Sequence, residues 1–192
     1  MAYQGSRPVA VWVIIGINLL VFIATLISQN LILLLGLQPA SFLARPWTIV
    51  TNLFVHSGFW HIIANMITLF FFGSFLHQLI GRNRLLLVYF AGGILGNIFF
   101  ILLPPSPLSI AIGASGAAFA LAGVLVVLVP RLRVLLYFII PLPLWVVVLV
   151  FMVLWSFIPG LNIAWQAHLG GLVFGLIAGF IFRRRARYYY YR

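Results

Sequence analysis

The sequence predicts an all-α polytopic membrane protein of six transmembrane helices, with a short fourth helix that starts inside the membrane. Three observations lead there. The 192 residues are 65% hydrophobic and only 6% charged, with a mean hydropathy of +1.24. A soluble domain of this size must face water and does not carry so much apolar surface. Six apolar stretches can be read along the chain, separated by turns rich in Arg, Pro and Gly. Finally, all eleven charged residues are Arg, and their positions sort with the spans.

The first stretch, 9–27, is followed by no small-residue cleavage site and reads as an anchor, not a cleaved signal. The second runs over 61–80 and the third over 85–103. The fourth, 115–129, is short. The fifth falls within 135–157 and is broken early by Pro141 and Pro143. The sixth covers 163–182. An even number of spans puts Arg7, Arg82, Arg84, Arg131, Arg133, Arg183, Arg184, Arg185, Arg187 and Arg192 on one side and Arg45 alone on the other. Positive charge collects on the cytoplasmic side, so both termini are expected there. The expected organisation is a single membrane domain over 1–192, with a short cytoplasmic N-terminus, 1–8, and a basic cytoplasmic tail, 183–192. The Tyr188–Tyr191 run beside that tail suits the membrane interface. Because the arginines flank apolar spans, the net charge of +11 points to the lipid bilayer and not to nucleic acid.

Composition also restricts the chemistry. The chain has no Asp and no Glu. A Ser-His-Asp triad within the chain and paired-carboxylate acid/base catalysis are therefore excluded. With no Cys, thiol catalysis and Cys-ligated zinc are excluded too. His56 and His61 are five apart with no Glu between them, so the zincin spacing is not met and no metal is expected. No cofactor is expected either. A Ser and a His inside the membrane remain as nucleophile and base.

Depth brings those two together. The fourth span has about 15 residues, roughly 22 Å of helix, against a hydrocarbon core of about 30 Å. If it ends at the inner face, its first residue, Ser115, lies roughly 7–8 Å below the outer surface. His168, five residues into the sixth span, reaches the same depth. Asn65 lies at a similar level in the second span, with His61 one turn above on the same face. A neutral imidazole can take the proton of a Ser hydroxyl and make it a nucleophile. The unpaired amides at the start of the fourth helix, with Asn65 and His61, could then donate to an oxyanion. Gly171, Gly175 and Gly179 repeat every four residues below His168, and Gly116, Ala120 and Gly123 run down the fourth span. Such stripes let membrane helices approach closely. Phe119, one turn below Ser115, could stack on the imidazole.

Three segments carry a family resemblance. They are His56-Ser-Gly-Phe-Trp-His61-Ile-Ile-Ala-Asn65, Gly113-Ala-Ser115-Gly116, and Ala167-His168-Leu-Gly-Gly171 with Gly175. In order and spacing the chain resembles the rhomboid intramembrane serine proteases, over nearly its whole length. The resemblance implies a rhomboid-like bundle and a Ser115–His168 dyad acting through an acyl-enzyme. It implies an oxyanion hole built from the Ser115 amide, His61 and Asn65. Gly113, Gly116, Phe119, Gly171 and Gly175 would support the site. Transmembrane proteins would be the substrates, cleaved near helix-destabilising sites of small residues. The expected setting is a prokaryotic cell membrane, with the active site opening to the outer face. Two positions depart from the family pattern: Trp47-Thr48 where a Trp-Arg pair is common, and His77 where an acidic residue is common. Away from the motifs, His77 is expected near the interface and His56 as a structural residue of the outer loop.

Two other function classes compete. A catalytically silent relative would bind membrane clients without cutting them. A small transporter or channel would use His168 and Asn65 as a polar path, although internal repeats typical of many transporters are not evident.

Overall fold

The computed structural model describes residues 7–136, 139–153 and 163–190. Helix α1, Val9–Ile27, starts directly after Pro8 and coincides with the first expected span. Proline is tolerated at a helix start because the amide it lacks has no helical partner there. Helix α2, Asn30–Leu35, and helix α3, Thr48–Thr51, belong to the long segment between the first and second spans. The second span is α4, Phe59–Thr68, a π-turn at Leu69–Gly73, and α5, Ser74–Ile80. Gly81, at φ 80, turns the chain into α6, Arg82–Leu102. Helix α7 is Ser115–Leu128 and helix α9 is Trp165–Tyr190, with α8, Leu144–Val153, between them.

Among the described residues, four helical segments are long and apolar enough to cross a membrane: Val9–Ile27, Phe59–Ile80, Arg82–Leu102 and Trp165–Arg183. Ser115–Leu128 is apolar but shorter, as expected of the fourth span. The expected fifth span is corrected at its start. Strands β1, Arg133–Leu136, and β2, Ile140–Pro143, pair antiparallel as a hairpin, and helix begins only at Leu144. Pro141 and Pro143 cannot continue a helical hydrogen-bond ladder, so the chain enters the helix after them. Residues 137–138 and 154–157 of that span lie outside the described residues, as do 158–162 after it, 1–6 of the expected N-terminus and 191–192 of the tail. The backbone of 183–190 is helical, a continuation of α9 beyond the expected end at Phe182.

Helix α7 forms the centre. Ten of its residues are buried, from Gly116 through Val127. A helix apolar on every side belongs inside a bundle. Its most extensive packing is against α9, and α6 packs on both. On the outer side, helix α1 exposes Trp12, Val13, Leu20 and Ile23 while burying Val11, Ile14 and Ile15. His77 is 4% exposed, so its side chain packs inside the bundle, in the last turn of α5. It sits one turn before Gly81, whose amide donates to the His77 carbonyl.

The segment between the first and second spans is fastened by long-range hydrogen bonds. Leu37 and Ala111 exchange both backbone hydrogen bonds, at 3.0 and 2.8 Å. The Trp47 indole donates to the Leu34 carbonyl and Thr51 Oγ to that of Leu35. Arg45 donates to the Leu33 carbonyl at 2.9 Å, placing its charge at the negative end of α2. The buried side chains of Asn52 and Asn97 donate to each other reciprocally at 2.9 and 2.8 Å, and Asn97 also donates to the Ile49 carbonyl.

Candidate active site

The site is built around the first residue of α7. Gly113 precedes it at φ +114, a conformation that L side chains rarely adopt. The Gly113 amide donates to the Asn52 carbonyl at 2.9 Å, so the Asn52–Asn97 pair also holds this loop. The turn lets Ser115 open the helix with the amides of the first turn free of helical partners.

His168 comes from the first turn of α9. Its Nε2 lies 2.7 Å from Ser115 Oγ, a hydrogen bond between residues 53 apart in sequence. The Phe119 ring stacks on the imidazole at 4.5 Å with 26° between planes. Nδ1 of His168 is buried and meets no hydrogen-bond partner among the described residues.

Opposite lies the start of α4. His61 Nε2 would be only 2.7 Å from a Cβ placed on Gly113, and Ser115 Oγ 3.8 Å from the same point. Glycine is thus required twice at 113, by dihedral and by space. Gly113→Ala is expected to strain the turn by about 1–2 kcal/mol and to displace the His61 ring. Cleavage assays beside thermal melts in detergent should show activity lost well beyond the modest loss of stability. Activity equal to wild type would mean that the His61 position is irrelevant. On its other side, His61 Nδ1 faces Ser57, with Oγ at 3.1 Å and the amide nitrogen at 3.4 Å. Asn65 is buried, and its amide group donates to the His61 carbonyl at 2.8 Å, tying it to its own helix. The second hydrogen of that amide is uncommitted by this bond. His56 is 1% exposed and meets the His61 ring edge-on at 4.9 Å. Burial, and secondarily the nearby His61, hold the His56 imidazole down to about 3, so it is neutral near pH 7. That fits the structural role expected of it.

The small-residue stripes meet as expected. A Cβ on Gly171 would strike the Gly116 carbonyl, and one on Gly175 the Ala120 carbonyl. One on Gly123 would lie 2.9 Å from the Leu172 carbonyl oxygen. The sequence reading missed that α6 takes part. Gly92 leaves room for Ala120, Gly96 for the Ala167 carbonyl, and Gly170 lies against Gly96. The four-residue spacing of Gly92 and Gly96 was the available signal. Asn52, Asn97 and Ser57 were also missed. Ser57, four residues before His61, had a local signal, whereas the Asn pair is joined only in three dimensions.

The Rhomboid domain family matches residues 43–185. The chain is 37% identical to "Putative rhomboid protease YdcA" of Bacillus subtilis over 140 residues, 70% of this chain and 66% of that protein. It is 27% identical to "Rhomboid protease GluP" of the same organism over 183 residues, 92% of this chain and 35% of GluP. Over 73 residues, 38% of this chain and 20% of the relative, it is 38% identical to "Inactive RHOMBOID-like protein 8" of Arabidopsis thaliana. The chain thus spans about two thirds of YdcA and about a third of GluP, and the family includes both proteins named as proteases and one named as inactive. With the family domain covering most of its length, this chain belongs to the rhomboid family.

Proposed function

We propose that the chain is an intramembrane serine endopeptidase that hydrolyses peptide bonds in or near the transmembrane segments of membrane-protein substrates. The observation that carries this reading is the 2.7 Å contact between Ser115 Oγ and His168 Nε2. His168 Nε2 takes the hydroxyl proton as Oγ attacks the peptide carbonyl carbon. The tetrahedral oxyanion receives hydrogen bonds from the Ser115 amide, His61 and Asn65. His168 then passes its proton to the leaving amine, which departs and leaves an acyl-Ser115. A water deprotonated by His168 attacks this ester and releases the new carboxyl terminus. Gly116, Gly171 and Gly175 hold α7 against α9, Gly113 makes room for His61, and Phe119 supports the imidazole face.

The same reading takes the protein as multi-pass in a prokaryotic cell membrane. Both termini are cytoplasmic, and the active site opens to the outer face. The domain needs no cofactor or metal for this chemistry. Its partners are the bilayer and transmembrane substrates.

The test is purified protein in detergent or liposomes with a model transmembrane substrate, beside fluorophosphonate labelling. Cleavage together with a label on Ser115 is the expected result. Substrate binding without cleavage or label would favour a silent relative, and solute flux without label would favour a channel.

Asn65→Ala is expected to lower kcat by up to about 10²–10³-fold, the usual size for one oxyanion donor, with little change in KM. A donor realised mainly in the transition state has that signature. A raised KM with unchanged kcat would instead make Asn65 a substrate-binding residue.

A further inference from the structure

We propose that Ser57 is a positioning residue that keeps the proton of neutral His61 on Nε2, so that His61 presents an N–H donor to the oxyanion. The inference rests on the oxyanion role proposed for His61 and adds what makes that role possible. A neutral imidazole carries one N–H and one bare nitrogen, and only the N–H side can stabilise a negative oxygen. Which side carries the proton is set by what the other nitrogen meets.

At Nδ1 two groups of Ser57 converge: the backbone amide at 3.4 Å and Oγ at 3.1 Å. A backbone amide only donates. Nδ1 must therefore accept, and the rotatable hydroxyl turns its own hydrogen toward the same lone pair. With a proton on Nδ1, two N–H groups would face each other. The proton consequently resides on Nε2. This is the nitrogen at the Gly113 turn, 2.7 Å from the point where a Cβ would sit and on the side where Ser115 Oγ is 3.8 Å from that point. The ring is also held in place by His56, edge-on at 4.9 Å. Ser57 thus acts only through His61, and is itself exposed, so replacing it leaves the core untouched.

The experiment compares wild type, Ser57→Ala, Ser57→Thr, His61→Ala and the double variant Ser57→Ala/His61→Ala in steady-state cleavage of a transmembrane substrate. In parallel, ¹⁵N spectra of imidazole-labelled protein read the His61 tautomer. Ser57→Ala keeps the backbone amide at Nδ1 and removes only the hydroxyl, so it is expected to lower kcat by about two- to fivefold, the smaller part of the hold on the ring, with KM unchanged. Ser57→Thr restores the rate. In the His61→Ala background, Ser57→Ala costs nothing further. The spectra show Nε2 protonated and Nδ1 bare in wild type. A Ser57→Ala penalty that persists without His61, a change confined to KM, or a wild-type proton on Nδ1 would each overturn the proposal. If His61→Ala keeps the wild-type kcat, it is the oxyanion role of His61 that fails. The tautomer spectra then decide separately whether Ser57 holds the proton.

Discussion

Ser115→Ala abolishes cleavage of a transmembrane substrate and leaves the bundle folded. Loss of a nucleophile that works as a unit with its base costs about 10⁶ in kcat in a soluble serine protease, and among the described residues Ser115 supplies the hydroxyl in contact with His168 Nε2. The effect on stability is small. Ser115 is the first residue of α7 and is half-buried, and the change removes one hydroxyl and one hydrogen bond, worth about 1 kcal/mol. Cleavage rates beside melting curves in detergent separate the two effects. Turnover near wild type in the purified variant would overturn the mechanism. A variant that no longer folds would show instead that Ser115 has a structural load the geometry does not reveal.

The second large effect comes from a single methyl group. Gly171→Ala places a Cβ into the Gly116 carbonyl, which is backbone and cannot rotate away. Helices α7 and α9 must separate, and they carry Ser115 and His168. A displacement of about 1 Å at a reacting pair can cost about 10²-fold in rate, and overpacking typically costs 1–3 kcal/mol of stability. Gly171→Ala is therefore expected to lose at least about 10²-fold in kcat and to melt earlier. Gly16→Ala on α1 is the control, because nothing lies within 4 Å of its added Cβ. Equal activity in both variants would show that contact of α7 with α9 does not set the distance from Ser115 to His168.

Much of this architecture was legible because a bilayer imposes its own arithmetic. Lipid demands about twenty apolar residues per crossing, so Val9–Ile27 and the short Ser115–Leu128 could be read from composition and length alone. The juxtaposition of Ser115 with His168 followed from depth and from glycines at four-residue spacing, which only make sense where helices touch. The segment between the first and second spans was not legible. Its short helices are held by contacts such as Trp47 to Leu34 and Leu37 to Ala111, and nothing local in the sequence names the distant partner. The hairpin at Arg133–Pro143 escaped for a related reason: its prolines announced a break, while its pairing depends on a register that an apolar run conceals. Ser57 was overlooked because its function is exerted on the far nitrogen of a neighbour, and residue type alone does not show which nitrogen faces which group.

The fastening of the Gly113 loop has a consequence for the conditions under which the site survives. Asn52 and Asn97 are neutral amides bound to each other and to backbone carbonyls. An ion pair in that place would weaken as dissolved salt shortens the Debye length, about 8 Å at 0.15 M. It would fail altogether once its carboxylate took up a proton near pH 4. The amide pair has no charge to screen and no proton to gain in that range. The loop that sets Gly113 is thereby insulated from ionic strength and from acid, and its anchorage stays constant while the surrounding solution changes.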